Sequence, residues 1–205
     1  MSAITAARSD GTGILRRAGV LMLVAGLGAV ASTGLGEFAL SLEPPPDSIG
    51  GPGILVALVA AGIGLVASLA YVAVFIVIWV WNAGFKVELI LLAAAAGELL
   101  GLGSAFVADD SIVVFGHEFV ALLVALAGFY VWRQRIFLPL GSAVFFLATV
   151  VPFVAAVVFA LSSPTIGLSE GLRYLTASCN VVCGLAMIRG ARSRAKLISE
   201  GPLER

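Results

Sequence analysis

The chain has 205 residues, of which 60% are hydrophobic and 12% charged, with a mean hydropathy of +1.11 and no formal net charge. A soluble domain carries about 25% charged residues, so this chain lacks the polar groups to cover a water-facing surface, and lipid has to be its solvent. Zero net charge also removes any electrostatic reason to expect nucleic acid as a partner.

Residues 1–17 are polar and basic, with Arg8, Arg16 and Arg17. The first apolar run follows at about 18–42. It admits two readings. Arg16-Arg17 and Ala29-Val30-Ala31 have the form of a signal peptide's basic end and A-x-A cleavage site. The run continues well past Ala31, however, which favours a retained first span. Glu43-Pro44-Pro45-Pro46-Asp47 breaks it, because proline fixes φ and has no backbone donor.

A second run covers 54–81, with Trp79 and Trp81 near its end, as in an interfacial aromatic belt. Lys86 stands in a tight connection to the third run, 87–107. Asp109-Asp110-Ser111 makes the next turn, with Ser111 a candidate cap for the fourth run at 112–132. Arg133-Gln134-Arg135 ends that run. The fifth, 137–161, contains Pro152, which predicts a kink. The sixth is short, 172–188, and is followed by a basic tail, 189–205, with Arg189, Arg192, Arg194 and Lys196.

Basic and acidic segments alternate along the chain. The N-terminus, the Lys86 turn, the Arg133–Arg135 turn and the tail are basic. Glu43/Asp47, Asp109/Asp110 and Glu170 mark the turns between them, and only Arg173 falls on the acidic side. By the positive-inside rule both termini are cytoplasmic. The expected fold class is therefore all-α: a polytopic integral membrane protein of six transmembrane helices, N-in/C-in, in the plasma (inner) membrane.

The chemistry is expected in the stretch from Leu89 to Phe119. Glu98, His117 and Glu118 stand there inside apolar sequence, and ionisable groups in hydrocarbon are expensive. Glu98 falls about 18 Å along its helix from Asp110, near the bilayer midplane, and Glu118 about 12 Å along the next helix. The two depths differ by about 6 Å, within reach of side chains or one water. Ala93, Gly97, Gly101 and Ala105 form a small-residue stripe beside Glu98, which predicts that the third span is packed near the centre of the bundle.

Other polar groups are secondary. Glu37 and Arg173 sit near the outer boundary and are expected to form an ion pair. Thr176, Ser178 and Asn180 give the last span a polar patch, suited to a pathway or to interhelical hydrogen bonds. Cys179 and Cys183 are spaced i, i+4, which is neither a CxxC redox motif nor a zinc pattern. His117-Glu118 is not HExxH, because Ala121 occupies the second histidine position. The segments LVAGLGAVAS near Leu23, LVAAGIGLVAS near Leu58 and LLAAAAGELLGLGS near Leu91 resemble one another. Packing by small residues accounts for this better than an internal repeat does.

Three functions fit these features. The first is a small channel or transporter, proton- or cation-coupled through Glu98 with His117 and Glu118. The second is a non-catalytic subunit of a larger membrane complex, since catalytic motifs are lacking and the loops are short. The third is an intramembrane lipid-modifying enzyme using the same three residues as acid and base. No cofactor or metal is expected. The expected partners are membrane lipids and either a second copy in a homo-oligomer or a larger membrane complex, with no nucleic acid.

Overall fold

The computed structural model describes residues 11–42, 51–81, 91, 94–96, 110–133, 139–161 and 166–199, and every regular element among them is helical. The elements are α1 (Gly11–Ser41), α2 (Pro52–Trp81), α3 (Asp110–Arg133), α4 (Pro139–Leu161) and α5 (Ile166–Ser199). Leu91 and residues 94–96 are helical as well, between α2 and α3 in sequence.

The ends of the helices follow from local chemistry. Pro52 and Pro139 open α2 and α4, where a missing backbone donor has no consequence. At the end of α1 the Ser41 hydroxyl donates to the Phe38 carbonyl at 2.6 Å, and the Leu42 amide donates to Ala39 O at 3.1 Å. Both bonds satisfy last-turn carbonyls that have no partner within the helix. Pro152 lies inside α4, which is continuous through it. α5 begins before the expected sixth span and ends after it, so the Arg189 and Arg192 segment is helical rather than an irregular tail.

Helix α1 lies between two neighbours, packing on α2 and on α5, while α4 joins α5 to α3. Both α1 pairs are antiparallel. Against α2, Gly28 sits opposite Ala67 and Ser32 opposite Gly64. Against α5, Leu15 approaches Gly190, Gly19 meets Gly184, Gly26 meets Ala177, and Gly34 lies near Tyr174. The start of α1 therefore stands beside the end of α5. α3 and α4 are also antiparallel: Gly128 meets Thr149, and Trp132 stacks on Phe146 with ring centroids 4.9 Å apart. Phe75, late in α2, meets Phe145, early in α4, edge to face at 6.3 Å.

These contacts show what the similar segments are for. Gly28 and Ser32 belong to LVAGLGAVAS, and Gly64 and Ala67 to LVAAGIGLVAS, so the two segments are the two sides of one seam. The Ser32 hydroxyl crosses it to the Ala60 carbonyl at 2.8 Å. In lipid, apolar contact gives helices little reason to associate, and small residues let backbones approach until dispersion and hydrogen bonds hold them.

Among the described residues, three helices are long and apolar enough to cross a membrane: Thr12–Ser41, Pro52–Val80 and Gly171–Ser193. Leu122–Arg133 and Gly141–Ala155 are shorter apolar helices. The outer surface is apolar too. On α2 alone Leu55, Leu58, Val59, Val66 and Val80 are more than half exposed, which suits contact with acyl chains and not with water. The core gathers side chains from all five helices, with Met22, Phe75, Ile78, Val131, Phe145 and Met187 fully buried.

Candidate functional site

The seams around α1 are closed. A Cβ on Gly26 would come 2.7 Å from the Ala177 carbonyl oxygen, and one on Gly28 would come 2.8 Å from the Ala67 Cβ. The α3–α4 seam is closed at Gly128 and Thr149, whose hydroxyl is turned back to the Phe145 and Phe146 carbonyls at 3.2 and 2.9 Å. α4 packs on α5, and its Phe145 meets Phe75 of α2.

Leu91, Ala94 and Ala95 are buried and belong to the common core. They fall on one helix face, at i, i+3 and i+4.

Asn180 is the polar side chain that stands out here. It is 6% exposed, and its Oδ1 has no hydrogen-bond partner among the described residues. At about 100° per residue it lies roughly 60° from Ala177, which faces α1, toward the fully buried Cys183. Its amide therefore points into the bundle. It also lies well inside the apolar segment Gly171–Ser193, about 14 Å from the first end and about 20 Å from the second. An unmet buried acceptor costs about 1–3 kcal/mol.

Trp79 Nε1 is the other buried polar atom without a partner among the described residues. Its level can be read along α1. Asn180 lies beside Gly26, whereas the α1–α2 register carries Trp79 to the level of Arg16, so the two atoms are roughly 15 Å apart along the bundle. They are separate features, not one site.

Of the residues singled out from sequence, Glu98, Ala93, Gly97, Gly101 and Ala105 lie outside the described residues. His117 and Glu118 fall in the first half of α3, and their side chains are likewise outside the description. Glu37 and Arg173 are both exposed, at the same end of the α1–α5 pair, but they form no ion pair with each other. An exposed pair gains little beyond what hydration gives each charge alone.

The polar patch on α5 divides as well. Thr176 donates to the Leu172 carbonyl at 2.9 Å, Ser178 is exposed, and only Asn180 is buried without a partner among the described residues. Cys179 and Cys183 are free thiols, and Cys183 Sγ donates to Met187 Sδ at 3.7 Å inside the core. Among the described residues no group of three His, Cys, Asp or Glu side chains is placed to hold a metal.

Gly167-Leu168-Ser169-Glu170-Gly171 has GxSxG spacing, so the chain does carry one catalytic-type motif by spacing alone. It lies wholly within the opening turns of α5. A nucleophile elbow needs a sharp strand-to-helix turn to lift the serine out of the backbone, and a continuous helix does not provide one. No family model matches the chain, and neither does any curated protein or solved structure.

Proposed function

We propose that this chain is a small integral membrane channel or transporter that carries a proton or cation past the carboxylate of Glu98. The observation that carries the reading is the burial of Leu91, Ala94 and Ala95 in the common core. Glu98 follows them at seven, four and three residues in the sequence, the spacing of one helix face. If the helix that holds these residues continues through Glu98, the acid shares their face and not the lipid's, and interior acids mark ion and proton routes. The unmet amide oxygen of Asn180 supports the same reading. Its depth along α5 matches the depth that sequence assigns to Glu98 to within about 4 Å.

In this reading the bundle has six spans with both termini cytoplasmic. The adjacency of the start of α1 and the end of α5 supports an even number of crossings, and the arginines at that end support its cytoplasmic side. His117 and Glu118 extend the route toward the outer face.

The test is reconstitution into vesicles followed by proton and monovalent cation flux as a function of pH. Glu98→Gln keeps the shape and removes the charge. Loss of flux, or loss of its pH dependence, is the expected result. Flux equal to the parent's at every pH removes Glu98 from the mechanism.

The second reading, a non-catalytic subunit of a larger membrane complex, is favoured by the apolar face of α2. Purification in gentle detergent with mass identification separates the two. A stoichiometric companion that is lost when Leu58 and Val66 are replaced by tryptophan would support the subunit reading.

A further inference from the structure

Of the six arginines whose side chains are described, five lie at one end of the bundle and Arg173 lies at the other. Arg16 and Arg17 lie in the early turns of α1, and Arg189 and Arg192 in the late turns of α5. The contacts of Leu15 with Gly190 and of Gly19 with Ile188 set these turns side by side. The Phe75–Phe145 contact brings the start of α4, and with it Arg133 at the end of α3, to the same end. All five side chains are exposed, and none is held in an ion pair among the described residues. The one carboxylate whose side chain is described, Glu37, lies at the opposite end of α1.

This is more than the charge bias that sets orientation, which needs basic residues near the ends of spans but no grouping between helices. Here two pairs of guanidinium groups lie at one level on adjacent helices. Trp132 lies at the same end, one residue from Arg133, and is exposed and stacked on Phe146. Aromatic side chains of this kind sit at headgroup level. α5 stays helical to Ser199, beyond the apolar segment that ends at Ser193. Its basic turns therefore belong to one continuous helix that runs past the apolar segment.

We propose that the α1–α5 end, through Arg16, Arg17, Arg189 and Arg192, binds the phosphate headgroups of anionic phospholipids in the surrounding bilayer. Guanidinium groups suit the task, because each presents a planar fork of donors to phosphate oxygens. Juxtamembrane basic clusters of this size attract anionic lipid and are screened by salt. The inference rests on the membrane character of the bundle and not on transport, so it stands or falls separately from the role of Glu98.

The test uses the full-length protein extracted by a polymer that retains surrounding lipid, from vesicles of phosphatidylcholine and phosphatidylglycerol mixed in equal parts. The lipid carried with the protein is then quantified. Phosphatidylglycerol should be enriched over its bulk share. The enrichment should return to the bulk ratio when Arg16, Arg17, Arg189 and Arg192 are all changed to Gln, persist when they are changed to Lys, and persist in Arg173→Gln at the other end. If the fourfold Gln variant does not fold, Arg16→Gln/Arg17→Gln and Arg189→Gln/Arg192→Gln are compared, and each should remove part of the enrichment. Raising the salt concentration during mixing should also reduce enrichment for the unaltered protein. A bulk lipid ratio around the unaltered protein overturns the proposal. So does enrichment that survives both high salt and loss of the arginines.

Discussion

Gly19 and Gly184 lie backbone against backbone. A Cβ on Gly19 would stand 2.9 Å from the Gly184 carbonyl oxygen, and one on Gly184 would stand 2.7 Å from the Gly19 carbonyl oxygen. Neither obstacle is a side chain that can rotate away. Gly184→Val should therefore push α1 and α5 apart and destabilise the bundle by about 1–3 kcal/mol, the usual range for overpacking. A Cβ on Gly62 would meet nothing within 4 Å, so Gly62→Ala should not destabilise. Denaturant titration of both variants in one detergent compares them directly, and an unaltered Gly184→Val midpoint would contradict the close seam.

The seam between α1 and α2 has a polar component. Ser32 Oγ donates to Ala60 O at 2.8 Å, and a Cβ on Gly64 would meet the same hydroxyl at 2.8 Å. Ser32→Ala removes the bond and leaves the close approach intact, so the expected loss is modest, about 0.6 kcal/mol. Ser32→Leu fills the space that Gly64 leaves open and should cost several times more. Equal effects for the two substitutions would mean that the hydroxyl, not the space, holds the seam.

The helices were legible in the sequence because lipid leaves a spanning segment no alternative to internal hydrogen bonding, and prolines at 44–46, 52 and 139 mark breaks and starts. The pairing of helices was not legible. Small-residue spacing says that a backbone is approached closely, but the same signal occurs near Leu23, Leu58 and Leu91. Only the three-dimensional contacts show that α1 uses one glycine face for α5 and another for α2. Thr176, Ser178 and Asn180 illustrate the same limit within one helix. Two residues along, the direction turns by about 200°, so alternate positions face opposite ways, and only Asn180 is left inside without a partner among the described residues. Glu37 and Arg173 share an end, as the sequence implied, but the level along a helix does not fix whether two exposed charges meet.

If α1 is part of the mature bundle, the protein isolated from membranes retains it. Cleavage after Ala31 would remove Gly19, Gly26 and Gly28, and with them most of the contact α1 makes with α5 and half of the seam with α2. Intact-mass measurement of the purified protein should show a species that includes residues 1–31. A mature mass beginning at Ser32 would overturn both the retained span and the stabilising role of those glycines.

The proposed six-span arrangement makes a separate demand on accessibility. In a Cys179→Ala/Cys183→Ala background, Ser48→Cys probes the segment between α1 and α2 in sequence and Ser193→Cys the end of α5. A membrane-impermeant maleimide added to intact cells should label the first, and should reach the second only after permeabilisation. Labelling of Ser193→Cys from outside would reverse the orientation. Labelling of both in intact cells would defeat the antiparallel register of α1 and α5 across a bilayer.

Asn180 offers a way to separate a pathway from packing. Its Oδ1 is buried without a partner among the described residues, so Asn180→Leu, close in size, removes an unmet acceptor and leaves the volume filled. Replacing an unpartnered buried acceptor by an apolar group of similar size removes its desolvation cost. The unfolding midpoint of the Leu variant should therefore hold or rise. If the amide belongs to a route shared with Glu98, flux should fall at least tenfold in the same variant, because an apolar side chain offers a passing ion or proton no oxygen. Lower stability with unchanged flux would assign Asn180 to packing. Unchanged stability with unchanged flux would leave Glu98 without this neighbour in its mechanism.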